Sequence, residues 1–106
     1  MIDTHAHLQW PDFDKDREDV IERAFTTGLS AIVSMGYDLD ACREAVRIAK
    51  DHDGVYAAVG IHPHNARSVD AKVLDSLREL AHDRKVVAIG EIGLDYYRDL
   101  SPRQRQ

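Results

Sequence analysis

The sequence predicts an α/β fold of parallel (β/α) units, about half of a TIM-type (β/α)₈ barrel. Four short apolar runs bounded by glycine or proline alternate with three segments whose apolar residues recur at helical spacing. The runs are nearly continuous, as parallel strands with both faces covered require, and the alternation favours right-handed crossovers. A full barrel takes ~250 residues, so four strands in 106 residues make about half of one.

Ile2 to Leu8 reads as a first strand ending near Gln9, before Pro11. Asp14 is placed to cap a helix whose Val20, Ile21, Ala24 and Phe25 share one face, and Gly28 supplies the left-handed residue that ends it. Leu29 to Gly36 is the second strand. Asp38 then caps a helix lined by Cys42, Ala45, Val46 and Ala49, which closes before Gly54. The third strand runs from Val55 to Ile61 and stops at Pro63; Val73, Leu74, Leu77, Leu80 and Ala81 mark the third helix. Lys85 to Glu91 is the fourth strand.

Ser101-Pro102-Arg103-Gln104 has the cap residue, the proline and the glutamine that announce a fourth helix, with only Arg105 and Gln106 after it. The expectation is a single barrel-type domain over 1–106 whose fourth helix is cut short. The competing expectation is a small, complete, open α/β domain with a frayed tail.

A composition of 43% hydrophobic and 31% charged residues fits one globular domain. No apolar run approaches the ~20 residues of a membrane helix, and no basic-then-apolar leader follows Met1, so a cytoplasmic location is expected. Cys42 is the only cysteine, which excludes an intramolecular disulfide and reads as a small core residue. A net charge of −5 excludes the global basic footprint of a protein that holds nucleic acid mainly through its phosphates. It does not exclude a nucleic-acid substrate engaged through metal ions and a few local cations.

Side chains alternate along a strand, so Asp3, His5 and His7 share one face. Residues two apart lie ~6.6 Å apart along the strand, a span that lets two imidazoles lean onto one ion. With six histidines, one His-x-His is expected about 0.3 times by chance, so the spacing alone is weak. His62 and His64 repeat it across Pro63, which disturbs the strand and argues against a shared ion. Glu91 is stronger. It closes an apolar strand at its C-terminal end, where barrel active sites are built and where a bare carboxylate needs a metal, a cation or a proton. Gly90 and Gly93 leave room for close backbone approach beside it. His5, His7 and Glu91 are therefore the candidate metal ligands, against a plain ion pair of Glu91 with Arg98 or Lys85.

His62 reads either as a substrate or water contact or as a hydrogen-bonded surface group. His52 and His82 close helices, where a cation suits the dipole. Tyr96, Tyr97 and Arg98, beyond the fourth strand, are placed to stack on a base or hold a phosphate, or to pack over the rim.

Taken together, Ile2-Asp3-Thr4-His5-Ala6-His7-Leu8, Gly60-Ile61-His62-Pro63-His64 and Gly90-Glu91-Ile92-Gly93-Leu94-Asp95-Tyr96-Tyr97 resemble the TatD family of metal-dependent deoxyribonucleases. The resemblance runs over the whole chain and covers the family's first half. It implies a barrel in which His5 and His7 bind one divalent ion and Glu91 bridges it to a second, with a metal-activated water attacking a phosphodiester of DNA. It also implies two more histidines and an aspartate, the expected base, beyond Gln106. Imidazole and carboxylate ligands suit zinc, manganese, magnesium or a similar ion without choosing among them.

Two further readings stay open. The same chemistry serves another amidohydrolase-like metal hydrolase acting on an amide, ester or lactone. A non-catalytic half-barrel would self-associate, because its outer strands expose edges and apolar faces.

Overall fold

A computed structural model describes residues 1–106. Four strands, β1 (Ile2–Ala6), β2 (Ala31–Met35), β3 (Val55–Val59) and β4 (Val86–Ile89), form one all-parallel sheet in the order β1-β2-β3-β4. Three helices connect them: α1 (Arg17–Thr26), α2 (Leu39–Asp51) and α3 (Ala71–Ala81). None is long and apolar enough to cross a membrane.

The core is built around α2 against β2 and β3. Cys42, Ala45, Val46, Ile48 and Ala49 are buried on α2, and Ile32, Val55, Ala57 and Val59 come up from the sheet to meet them. Small residues on the buried stripe let the helix lie close to the strands. Asp38 starts α2 as the spacing predicts, its carboxylate accepting from the Ala41 N–H at 2.8 Å. Asp70 does the same for α3 through Val73 N, at 2.8 Å. Gly28 ends the first helical segment at φ +112°, a conformation other residues resist.

Three expectations change. Asp14 does not cap α1: a 3₁₀ turn at Pro11–Phe13 intervenes and the helix begins at Arg17. Asp14 accepts instead from the Arg17 guanidinium, whose other donors reach Leu8 O (2.7 Å) and Trp10 O (3.3 Å) and clamp the corner after β1. Nor are both faces of every strand covered. Val87 is 54% exposed and Ile89 63%, because β4 is an edge strand; Leu74 on α3 also remains in the open, and α3 has no fully buried residue.

The third change is at the end, where residues 101–106 form a turn in which Arg105 N and Gln106 N both reach Pro102 O. Too few residues follow Pro102 to offset helix nucleation. Ser101, expected as the cap, is buried elsewhere: its hydroxyl donates to His64 O at 2.6 Å and accepts from Arg67 N at 3.3 Å. Gln106 ties this end to the segment after β4 through Asp95 N (2.7 Å) and Ser101 O (2.8 Å).

Candidate metal centre

The C-terminal end of β1 and the residue two places beyond β4 meet. His5 Nε2 and His7 Nε2 each lie 3.8 Å from the same oxygen, Glu91 Oε2. One donor atom from each of the three residues falls within 4.8 Å of the others. Two ligands on opposite sides of one ion at ~2.1 Å would stand ~4.2 Å apart, so the set fits a single ion after a small swing of the exposed His5. Neither Arg98 nor Lys85 pairs with Glu91; the Lys85 ammonium donates instead to His52 O and Val55 O.

The chemistry of the donors also fits a cation. His7 Nδ1 lies 2.9 Å from Met35 O, and since a carbonyl only accepts, that nitrogen carries the proton. Nε2 then presents a lone pair to a carboxylate oxygen, an arrangement of two acceptors that asks for a positive charge between them. His7 is fixed on every side, stacked on the Trp10 indole (centroids 4.8 Å apart, planes 5° from parallel) and met edgewise by Tyr37 and His5. Asp3, on the same predicted face, turns its carboxylate back to the His5 N–H at 3.0 Å and stays out of the group.

His62 approaches the other Glu91 oxygen at 3.7 Å. Its Nδ1 accepts from His64 N at 3.1 Å, so a neutral ring turns an N–H, not a lone pair, toward the acid. This suits His62 to contact a bound oxygen and not to ligate. His64 leaves the cluster altogether and pairs with Asp95. Hydrogen bonds from Arg98 N, above all, and then His64 hold the Asp95 carboxyl below its ordinary range.

A cavity of about 410 Å³ opens beside the cluster, lined by His7, Trp10, Tyr37, His62, His64, Asn65 and Glu91. Burial first, and then the Asp38 charge, push the Tyr37 hydroxyl above its ordinary range. Tyr96 and Arg98 are not in its wall; they lie exposed in the segment after β4, with Arg103 over the Tyr96 ring. The backbone crowding expected at Gly90 falls between Gly60 and Gly90, where a Cβ on Gly60 would sit 2.8 Å from the Gly90 carbonyl carbon. Around Gly93 there is open space.

Sequence reasoning missed Trp10, Tyr37, Asn65 and the Asp95–His64 pair. Trp10 carried a signal, as the only tryptophan, three residues past His7. The others come into place only through tertiary packing.

A family model described as TatD related DNase matches residues 2–106. The chain belongs to that family. Among its relatives are the "uncharacterized metal-dependent hydrolase YabD" of Bacillus subtilis, 42% identical over 106 residues, and the "3'-5' ssDNA/RNA exonuclease TatD" of a Rahnella species, 43% identical over 107. All of this chain is covered in both matches, but only 42% and 41% of those proteins: the chain spans less than half the length of the curated relatives it matches. Two crystal structures share the fold, the TatD homologue YJJV of Escherichia coli (TM-score 0.86, 33% identity) and a TatD family hydrolase of Entamoeba histolytica (TM-score 0.88, 29% identity). Each match covers 99% of this chain and 41% of the other. The four-stranded parallel sheet is thus the part of a TatD barrel that the sequence predicted.

Proposed function

We propose that this protein serves metal-dependent hydrolysis of phosphodiester bonds in DNA, with His5, His7 and Glu91 as metal ligands. The observation that carries this is the convergence of two imidazoles and one carboxylate within 4.8 Å, with the His7 lone pair turned inward. The exonuclease name of the Rahnella relative supports nucleic acid as the substrate. A divalent ion held by His5, His7 and Glu91 would lower the pKa of a water toward ~7 and steady charge developing on phosphate oxygens.

The chain's own residues have separable tasks. His7 is held in one tautomer by Met35 O and in one plane by Trp10. Glu91 Oε1 lies 3.7 Å from the His62 ring, beyond hydrogen-bond reach, so its lone pair on the side away from that ring would be open to a second ion. His62 offers an N–H to a phosphate oxygen in the cavity. Tyr96 and Arg98 are outer contacts, for a strand that extends past the cavity. Imidazole and carboxylate donors accept zinc, manganese or magnesium alike.

Titration calorimetry with Zn²⁺, Mn²⁺ and Mg²⁺ on wild type and on a His5→Ala, His7→Ala double variant tests the ligand set; equal affinity in both removes it. A chimera in which residues 1–106 replace the matching segment of the Rahnella exonuclease tests the reaction. It is expected to release nucleotides from single-stranded DNA and to lose this with Glu91→Gln. Hydrolysis of an amide, ester or lactone in its place would assign the site to the other hydrolase class.

A further inference from the structure

The cavity beside the cluster has an aromatic wall that metal binding does not require. Trp10 is 43% exposed although it is the largest apolar side chain in the molecule. One indole face is covered by His7, so the exposed surface is the opposite face and the edge. Its backbone is fastened at both ends: Trp10 N donates to His7 O at 3.0 Å, and Trp10 O receives Phe13 N at 3.0 Å and Arg17 Nη2 at 3.3 Å. Tyr37 is fastened similarly, its carbonyl receiving His62 N at 2.8 Å and Asn65 Nδ2 at 3.2 Å. Two aromatic residues with anchored backbones thus border a space that also borders Glu91.

Props for an imidazole need cover only the side facing it. A ring with an open side next to a phosphate-directed cluster matches the flat, apolar face of a base one sugar away from that phosphate. We propose that Trp10, with Tyr37 beside it, is a stacking subsite for the base of the nucleotide whose phosphate lies at the His5–His7–Glu91 cluster. This rests on the nuclease reading above. Stacking on a π-face is tolerant of base identity, so the subsite would bind any base of a single strand and exclude duplex, whose bases are already stacked.

Trp10 is the only tryptophan in the chain, so intrinsic fluorescence reports on this ring alone. The probes are a 5'-fluorescein pentathymidylate and an abasic oligomer with the same number of phosphates, in Mg²⁺, with anisotropy reading binding and unlabelled strands reading quenching. The expected result is saturable quenching by the thymidylate and at least ~5-fold weaker binding of the abasic strand. Trp10→Phe should keep part of that ratio, and Trp10→Leu should bring it to one.

Equal affinity for both strands, or binding without quenching, overturns the subsite and leaves the nuclease reading intact. Binding of neither strand overturns both. If Trp10→Leu weakens Zn²⁺ binding by the same factor as thymidylate binding, Trp10 is only a prop for His7 and the subsite falls. The wild-type comparison decides by itself where a variant does not fold.

Discussion

Replacing Ser34 by alanine would test whether His7 is aimed from behind. The Ser34 hydroxyl is fully buried; it accepts from Leu8 N at 3.1 Å and donates to Gln9 Oε1 at 2.6 Å. Gln9, itself buried, passes the link on by donating from Nε2 to Met35 O at 2.6 Å, the same carbonyl that receives His7 Nδ1. Alanine leaves an amide N–H and a carboxamide oxygen unpaired in the interior, each costing about 1–3 kcal/mol. Some relaxation of Gln9 brings the expected loss to about 2–3 kcal/mol, and at ~4–8 °C per kcal/mol for a domain of this size, Tm falls by roughly 10–20 °C.

The assay is urea and thermal unfolding of wild type, Ser34→Ala, Ser34→Thr and Ser30→Ala. Ser30 donates to Met1 O from an exposed position, so its loss should stay within ~0.5 kcal/mol. Because Gln9 shares the carbonyl that sets the His7 tautomer, Zn²⁺ affinity of Ser34→Ala should also fall, by ~10-fold. A cost no larger than that of Ser30→Ala refutes the network. A full stability loss with unchanged Zn²⁺ affinity refutes its link to His7.

Lys50 holds the Asp83 carboxyl below its ordinary range, with the Lys85 N–H adding to this, so the pair's stabilisation is present above the usual carboxyl pKa of ~3.9 and fades as pH falls through the depressed value. Asp83→Asn should therefore be less stable at pH 7 and equal to wild type near pH 2; urea midpoints showing a constant gap would contradict this. Burial pushes the Cys42 thiol up to about 11, so the native protein should be inert to a thiol reagent at pH 8 and label only as it unfolds. Zn²⁺ at ~100 times its Kd should raise unfolding free energy by ~2.7 kcal/mol in wild type and by much less in Glu91→Gln; an equal rise places the ion elsewhere. The 106-residue chain exposes 6801 Å², roughly 800 Å² more than the ~6,000 Å² of a typical folded monomer of 12.0 kDa, an excess comparable to one partner's share of a standard interface. Light scattering should find it paired with a second copy, and a sharp monomer at micromolar concentration would refute that.

What the sequence made legible follows from how local each cause is. Strand and helix order came through because apolar periodicity is local, and the caps at Asp38 and the stop at Gly28 because each needs only its own side chain or backbone freedom. Asp14 misled because Arg17, three residues on, competes for its carboxylate, and only the fold shows that Arg17 is also needed at Leu8 O and Trp10 O. The grouping of His5, His7 and Glu91 was legible because strand alternation puts the two histidines on one face and a carboxylate closes an apolar strand at the same end of the sheet. The cavity wall was not: Tyr37 and Asn65 are ordinary surface-type residues in the sequence, and they become a wall only when the segment after β2 meets the turn after β3.

The site also depends on the path the chain takes after β4. β1 and β4 are its two edges, with β2 and β3 between them. At ~4.8 Å per step, edge backbones in a flat sheet lie ~14 Å apart, with side chains standing parallel and unable to meet. The donors of His7 and Glu91 are nonetheless 3.8 Å apart, because Glu91 lies beyond β4, on a segment that crosses back over the strand ends. That crossing is held by Gly90 N to Val59 O (3.0 Å) and Glu91 N to Gly36 O (3.3 Å), which draw the segment after β4 across the ends of β3 and β2. Gly60 permits this, since any side chain there would collide with the Gly90 carbonyl carbon. The meeting of Glu91 with His5 and His7 thus depends on the path of the segment after β4, and Gly60→Ala, which obstructs that path, should weaken Zn²⁺ binding without touching any of the three side chains.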